Sequence, residues 1–189
     1  MRTLLFLCLA TSVLLIFDAC RERGRTTRTH EACSLLSKEE VESVQSTPVK
    51  EAKSSERSSG VFLVCQCFYT ATEFNKSVNL ALVQNDPNRR TKQSPKDFWN
   101  EKFGPYNANA REHDGKAEPK PGDEKETGPP PKKVGGLGDD AYWVSNRFGG
   151  VLYVLKGDAF ISVGLGGTDD EGTKLERSKA LAKKALQRL

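Results

Sequence analysis

The chain has 189 residues, 29 Lys plus Arg against 25 Asp plus Glu for a formal net charge of +4, 37% apolar residues, 16 Gly, 9 Pro and 5 Cys. That length holds one domain and not two large ones. The small, dispersed basic excess, with no basic run interleaved with aromatics, excludes a nucleic-acid groove, and alternating apolar stretches in both halves exclude a collagen-like or wholly disordered chain.

Residues 1–20 read as a targeting segment. Met1-Arg2-Thr3 is a short positive start, and Leu4 to Phe17 is an almost unbroken apolar run, shorter than the roughly 20 residues a membrane-spanning helix requires. The end of that run, Phe17-Asp18-Ala19-Cys20, meets the small-residue rule of an ordinary signal peptidase at Ala19 and breaks it at Phe17. The same four residues resemble a bacterial lipobox, in which Cys20 becomes the lipid-bearing first residue of the mature protein. Phe17 and Asp18 both depart from that pattern. On this reading the partner is a membrane, held through acyl chains on Cys20, and residues 21–32, rich in Arg and Thr, form a polar stalk.

With Cys8 removed and Cys20 lipidated, Cys33, Cys65 and Cys67 stay in an oxidising compartment, where one disulfide and one leftover thiol are expected. Without lipidation, four cysteines allow two bridges. A metal site is disfavoured, because Cys65-Gln66-Cys67 lacks a Cys-x-x-Cys spacing. His30 and His113 fall in the stalk and in a loop.

The mature domain is expected over 33–189. Ser37-Lys38-Glu39-Glu40 is a capping box with Leu36 and Val41 as its staple, which predicts a helix from Lys38 to Gln45 ended by Thr47-Pro48. Val49 to Lys53 begins a strand, and Ser54 to Gly60 reads as a turn. Val61 to Thr70 is a strand with Leu63, Cys65, Cys67 and Tyr69 on one face and Phe62, Val64 and Phe68 on the other. Ser77 to Gln84 is its antiparallel partner, and Pro95 to Phe103 is a helix offering Phe98, Trp99 and Phe103 to the core.

Gly104 to Gly136 holds six of the nine prolines and six glycines, with Val134 its one aliphatic residue beyond alanine, and reads as a flexible excursion from one domain. Its functional alternative is a mobile lid or partner-binding loop. Strands follow at Asp140 to Ser145, Val151 to Lys156 and Ala159 to Gly164, with turns at Arg147-Phe148-Gly149-Gly150 and Lys156-Gly157-Asp158. Thr173-Lys174-Leu175-Glu176 is a second capping box, opening a last helix to Leu189 whose Lys179, Lys183, Lys184 and Arg188 face outward. The pattern predicts an α+β single domain, an antiparallel sheet with helices packed on one face, and the two halves echo each other as if pseudo-duplicated.

Four stretches in order carry a resemblance: Ala32-Cys33-Ser34-Leu35-Leu36-Ser37-Lys38-Glu39-Glu40-Val41, Cys67-Phe68-Tyr69-Thr70, Gly136-Leu137-Gly138-Asp139-Asp140-Ala141-Tyr142-Trp143, and Gly157-Asp158. Over most of residues 32 to 189 the chain resembles a widespread group of bacterial exported lipoproteins of unknown function. More distantly it is similar to extracellular sensor domains of bacterial receptor kinases. The resemblance implies a compact α+β domain outside the cytoplasm and a Cys33 to Cys67 bridge tying the first helix to the central strand, with Cys65 the extra cysteine. It brings no catalytic residues.

The glycine stretch is no phosphate loop, because no helix follows Gly-x-Gly and no Lys-Ser/Thr accompanies it. Asp139 and Asp140 alternate faces in a strand, so they do not converge as an acid/base pair, and one or the other can satisfy turn amides. No nucleophile with an orienting partner and no cofactor motif can be assembled, so an enzyme is not expected. The first reading is a binding or interaction module of the cell envelope whose partner is an envelope protein or small ligand, with Tyr142, Trp143 and Tyr153 as candidate contacts. The second is a small-molecule or lipid carrier with a cavity lined by Phe62, Val64, Leu80, Tyr153 and Phe160. The third is a structural or assembly component using an exposed sheet face.

Overall fold

The computed structural model describes residues 29–89, 92–108 and 129–189. The targeting segment, Cys20, most of the expected stalk, and His113 with the middle of the expected excursion lie outside these residues. In chain order the elements are a 3-10 turn (Ala32–Ser34), α1 (Lys38–Gln45), β1 (Val49–Ser58), β2 (Phe62–Ala71), a 3-10 turn (Phe74–Lys76) and β3 (Val78–Asn85). Then come α2 (Pro95–Ala108), β4 (Lys132–Lys133), β5 (Asp140–Val144), β6 (Val151–Lys156), β7 (Ala159–Leu165) and α3 (Glu171–Leu186). The seven strands among the described residues form one antiparallel sheet in the order β1-β2-β3-β7-β6-β5-β4. The domain is therefore α+β, as its alternation pattern predicts.

Helices α1 and α3 cover one face of the sheet. There the inward side chains of β2, β3, β5, β6 and β7, among them Tyr69, Leu80, Leu82, Trp143, Val154 and Ile161, close the larger core with Val41, Leu181 and Ala185. Helix α2 lies on the opposite face, where Trp99 and Phe103 pack with Tyr142, Leu155 and Phe160 in a smaller aromatic cluster. The strands of the two halves obey a pseudo-two-fold normal to the sheet between β3 and β7: β1-β2-β3 and β5-β6-β7 are matching meanders. The helices that follow β3 and β7 sit on opposite faces, so the echo stops at the strands.

Cys33 and Cys67 form a disulfide, with Cα atoms 5.0 Å apart, and Cys65 is a buried free thiol. The bridge joins the first 3-10 turn to β2, which is next to the sheet edge and not central. The Cys65 thiol accepts from Gln84 Nε2 at 3.4 Å. The same Gln84 carboxamide grips the backbone of His30, accepting from its N–H at 3.0 Å and donating to its carbonyl at 2.8 Å. Ala32 is fully buried. The folded domain thus takes in residues 30 to 32, which the sequence reading assigned to a polar stalk, because Gln84 satisfies the His30 amide and carbonyl that solvent would otherwise have to.

Three boundaries differ from expectation. β1 runs on through Ser58 where a turn was expected, because the backbone of this polar stretch pairs along β2 from Val49↔Ala71 to Ser58↔Leu63. Its side chains are mostly exposed and polar, half of them charged, as suits an outer edge strand. α2 continues through Gly104 and Pro105 to Ala108, and Lys132–Lys133 pairs with β5, so both ends of the expected excursion 104–136 are structured. α3 opens at Glu171, one half-turn before the expected cap: Asp170 accepts from the Thr173 amide at 3.0 Å and from its hydroxyl at 2.6 Å.

The capping box of α1 forms as predicted: the Glu40 amide donates to Ser37 Oγ at 3.2 Å and the Ser37 amide to Glu40 Oε2 at 2.9 Å. The same carboxylate receives both arms of the Arg188 guanidinium, at 2.8 and 2.9 Å, which ties the end of α3 to the start of α1. Arg188 also reaches the Leu35 carbonyl at 2.8 Å. The Arg188 guanidinium and the Ser37 amide hold the Glu40 carboxyl at about 2, against an ordinary 4.5. A carboxylate whose folded value is depressed contributes stability above its unfolded value and loses it as pH falls through the folded one, here between about 4.5 and 2. The Glu40→Gln variant should therefore lose less stability than the parent between pH 6 and pH 2.5. The expected difference is on the order of 2 kcal/mol, partly screened, read from urea unfolding at each pH.

Candidate functional site

The Gly135 to Asp140 stretch is a structural joint beside a polar cleft. It links β4 to β5, and the two carboxylates diverge as strand alternation requires. Asp139 accepts from the Gly157 amide at 2.7 Å, closing the β6–β7 turn, while its own amide donates to the Leu155 carbonyl at 2.8 Å. Asp140 accepts from Trp99 Nε1 and from Asn107 Nδ2, both at 3.3 Å, and pairs with Lys133 at 3.3 Å, so it binds α2 to the β4–β5 edge. One of the two aspartates therefore satisfies a turn amide as expected, and the other satisfies an indole. The adjoining cleft, about 430 Å³, is lined by Lys96, Asn100, Asn107, Lys133 and both aspartates with the glycine backbone between. No group of three or more His, Cys, Asp or Glu that could hold a metal occurs among the described residues.

Of the three candidate contacts, Tyr142 and Tyr153 are cross-strand partners on the α2 face. The Tyr142 ring stacks on Phe103 at 4.8 Å, and Tyr153 meets the same ring at 5.6 Å. Tyr142 is buried with no hydrogen-bond partner for its hydroxyl, and that burial, with the Asp140 charge, pushes the phenol up to about 12. Trp143 points to the opposite face, where its Nε1 donates to Glu171 Oε1 at 2.7 Å. Two of the three thus belong to the two cores, and the three share no common space. Of the five residues expected to line a carrier cavity, Leu80 lies in the core under α1 and α3, whereas Phe62, Val64, Tyr153 and Phe160 share the α2 face, where Phe160 joins the aromatic cluster and Phe62 meets Phe98 at 5.7 Å. Strand alternation sets Leu80 apart from the other four.

The two most exposed large apolar residues among those described lie at one end of the sheet. Phe74, in the 3-10 turn between β2 and β3, is 70% exposed, and Phe148, in the β5–β6 turn, is 69% exposed. A cleft of about 590 Å³ at this end is lined by Asn75, Arg147, Phe148, Leu165, Asp169 and Lys174, with Gly149 and the Gly166-Gly167-Thr168 backbone completing it. Phe68, 38% exposed, leans on Phe74 at 6.3 Å.

Both turns are rigidly held. The Phe148 amide donates to Asn146 Oδ1 at 2.8 Å, and the Phe148 carbonyl accepts from Lys174 Nζ at 2.7 Å. Lys174 is 4% exposed, and a buried ammonium costs several kcal/mol unless well bonded. Gly149 and Gly150 have positive φ, and a Cβ on Gly150 would lie 2.4 Å from the Trp143 ring, so the turn is seated on that indole. At the other wall, the Ser77 hydroxyl donates to the Phe74 carbonyl at 2.6 Å, and buried Gln45 donates to the Lys76 carbonyl at 2.7 Å. Gly166 lies so close that a Cβ there would meet the Asn75 carbonyl at 2.1 Å. Sequence reasoning saw the 147–150 turn but not its role. The available signal was Phe148, a large apolar residue that turn chemistry does not ask for. Lys174, 26 positions on, gave no sign of being its support.

The chain enters at the opposite end of the sheet. Gln84, which holds His30, pairs with Leu63 near the β1–β2 turn, whereas Phe74 and Phe148 lie beyond the Val78↔Leu165 and Val151↔Gly164 pairs. β3 alone separates the two ends by roughly 20 Å. No helix among the described residues is long and apolar enough to cross a membrane. No protein-family model matches the chain, and neither a curated protein nor a solved structure does.

Proposed function

We propose that the chain is a non-catalytic interaction module of the cell envelope, an exported lipoprotein held to a membrane through acylated Cys20 and working through the loop end that carries Phe74 and Phe148. The observation that carries this reading is the contrast between those two side chains, standing in water, and the buried Lys174, Gln45 and glycine contacts that immobilise their turns. Pre-organising an apolar side chain in solvent lowers the ordering cost of binding a partner and gives nothing to folding. The entry of the chain at the far end of the sheet supports a tether below and a working surface above. The Cys33–Cys67 bridge supports an oxidising compartment. The carboxylates near both clefts act as acceptors for indole, amide and hydroxyl groups, which supports a binding role over acid/base chemistry.

Two measurements test the halves of this proposal. Intact mass spectrometry of the protein from a membrane fraction should find a diacyl or triacyl adduct on an N-terminal Cys20, and a soluble, unlipidated product would remove the tether. A photo-crosslinking residue at position 148 should trap a discrete envelope protein in cells, and the same probe at exposed Arg57, at the other end of the sheet, should not. The double variant Phe74→Ala, Phe148→Ala should change the unfolding free energy by no more than about 0.5 kcal/mol, as expected of surface positions, while removing the interaction. A large stability loss would mean that the two rings serve the fold.

A further inference from the structure

We infer that Lys174 is a positioning residue of the interaction surface: its buried ammonium fixes where Phe148 stands and adds nothing to the stability of the fold. This rests on the interaction-module reading and names what holds that surface in place. Helix α3 turns Lys174, Ser178, Leu181, Ala182, Ala185 and Leu186 inward, and Lys174 is the one charged residue on that buried side. Packing alone asks for an apolar stripe there. The Lys174 side chain instead runs to the β5–β6 turn, where Nζ donates to the Phe148 carbonyl at 2.7 Å. No carboxylate among the described residues pairs with it, and Asp169, in the same cleft, is taken by Arg177 at 2.7 Å. One carbonyl offsets only part of the hydration that a buried ammonium gives up.

What the contact supplies is location. The turn's own hydrogen bonds, from the Phe148 amide to Asn146 Oδ1 at 2.8 Å and from the Gly149 amide to the Asn146 carbonyl at 3.0 Å, are local and move with it. Gly150 rests on Trp143 and fixes the far side of the turn, whereas Lys174 ties Phe148 itself to a helix 26 residues away. The stem passes close against Gly149, since a Cβ on that residue, at φ +116, would stand 2.8 Å from Lys174 Cδ and 3.0 Å from Nζ. The other wall repeats the arrangement. Gln45, buried at the end of α1, donates to the Lys76 carbonyl at 2.7 Å while its own Oε1 has no partner among the described residues. Each of the two exposed phenylalanine turns is thus held by a buried polar side chain whose bonding is incomplete. A core selected for stability alone avoids such groups, and they are expected where a surface must be held ready for use.

The test is Lys174→Met in the full chain, because methionine keeps an unbranched apolar stem of similar length and removes the charge. The urea midpoint should equal the parent's or exceed it. Amide relaxation by NMR, on the full chain in detergent micelles, should show the order parameters of Phe148 and Gly149 falling from about 0.85 to below about 0.6, with those of β6 unchanged. With the photo-crosslinking residue at position 148, capture of the envelope protein should fall at least about fivefold, the cost of ordering the turn on binding. A lower urea midpoint overturns the proposal, because Lys174 would then serve the fold. So do order parameters equal to the parent's, which would leave Asn146 and Trp143 as the supports of the turn, and so does a loosened turn with undiminished capture. If the parent itself captures nothing at position 148, the interaction-module reading fails, while the midpoint and the order parameters still decide whether Lys174 positions Phe148.

Discussion

Replacing Cys33 and Cys67 together by alanine should lower the unfolding free energy by about 3–4 kcal/mol, the chain-entropy cost of releasing a loop closed across 34 residues. The native state loses few contacts in the exchange, since the 3-10 turn keeps its buried Ala32 and the Tyr69 hydroxyl still donates to the Leu36 carbonyl at 2.8 Å. The effect should therefore fall on the unfolded chain, and appear as a lower urea midpoint with a smaller dependence on bridge strain than on loop length. A drop in melting temperature of about 10 °C is the expected size for a domain of this length. The double variant is the informative one. Cys65 lies two residues from Cys67 on the same buried face of β2, so the single Cys67→Ala change leaves Cys33 near a second thiol. Peptide mapping of the parent without reduction should find Cys65 alkylated after denaturation and Cys33 joined to Cys67.

Gly138→Ala should be nearly as damaging. Gly138 has φ +53, and a Cβ there would stand 2.2 Å from the Leu155 carbonyl oxygen and 2.8 Å from Val154 Cγ1. That oxygen is the acceptor of the Asp139 amide, so it cannot retreat without opening the joint between β5 and β6. The left-handed backbone costs an alanine about 1 kcal/mol, and the backbone collision raises the expected loss to on the order of 3–4 kcal/mol. Gly136→Ala supplies the control, because Gly136 has φ +76 with nothing within 4 Å of a Cβ, and should lose only the first contribution. Equal losses in the two variants would show that the Leu155 contact is relieved by a local shift.

What the sequence disclosed was local. The capping box at Ser37 to Glu40 could be read because its partners are three residues apart, and β2 because its alternation and aromatic weight lie within ten residues. The cysteine pairing was not of this kind. Composition left three cysteines and several pairings open, and only the resemblance pointed to Cys33 with Cys67. The face chosen by α2 was not legible: Phe98, Trp99 and Phe103 announce a buried side without saying which side of the sheet receives it. Nor could adjacent Tyr142 and Trp143 be recognised as members of two separate cores until β5 was known to be covered on both faces. The cap of α3 was misplaced because two overlapping signals, at Asp170 and Thr173, compete, and the Asp170 carboxylate binds the second as its own ligand. The loop end stayed hidden because its contacts are non-local: Lys174 reaches Phe148 from 26 residues away, and Gly166 meets Asn75 only when β7 inserts beside β3.

That insertion bears on the order in which a chain delivered from its N-terminus can fold. β1, β2 and β3 form a meander, and both disulfide partners precede residue 68, so the first half can pair and oxidise while the second is still arriving. β3 then waits, one side hydrogen-bonded to β2 and the other open, until Ala159–Leu165 emerges to occupy it. During that interval the row from Val78 to Val83 is an unguarded edge of mostly aliphatic residues, the kind of edge to which foreign strands attach. Closure spans more than seventy residues and is the slow, non-local step. The finished sheet has no such liability, since its long outer strand is β1, whose polar residues discourage pairing. The hazard in this architecture belongs to its assembly and not to the finished sheet.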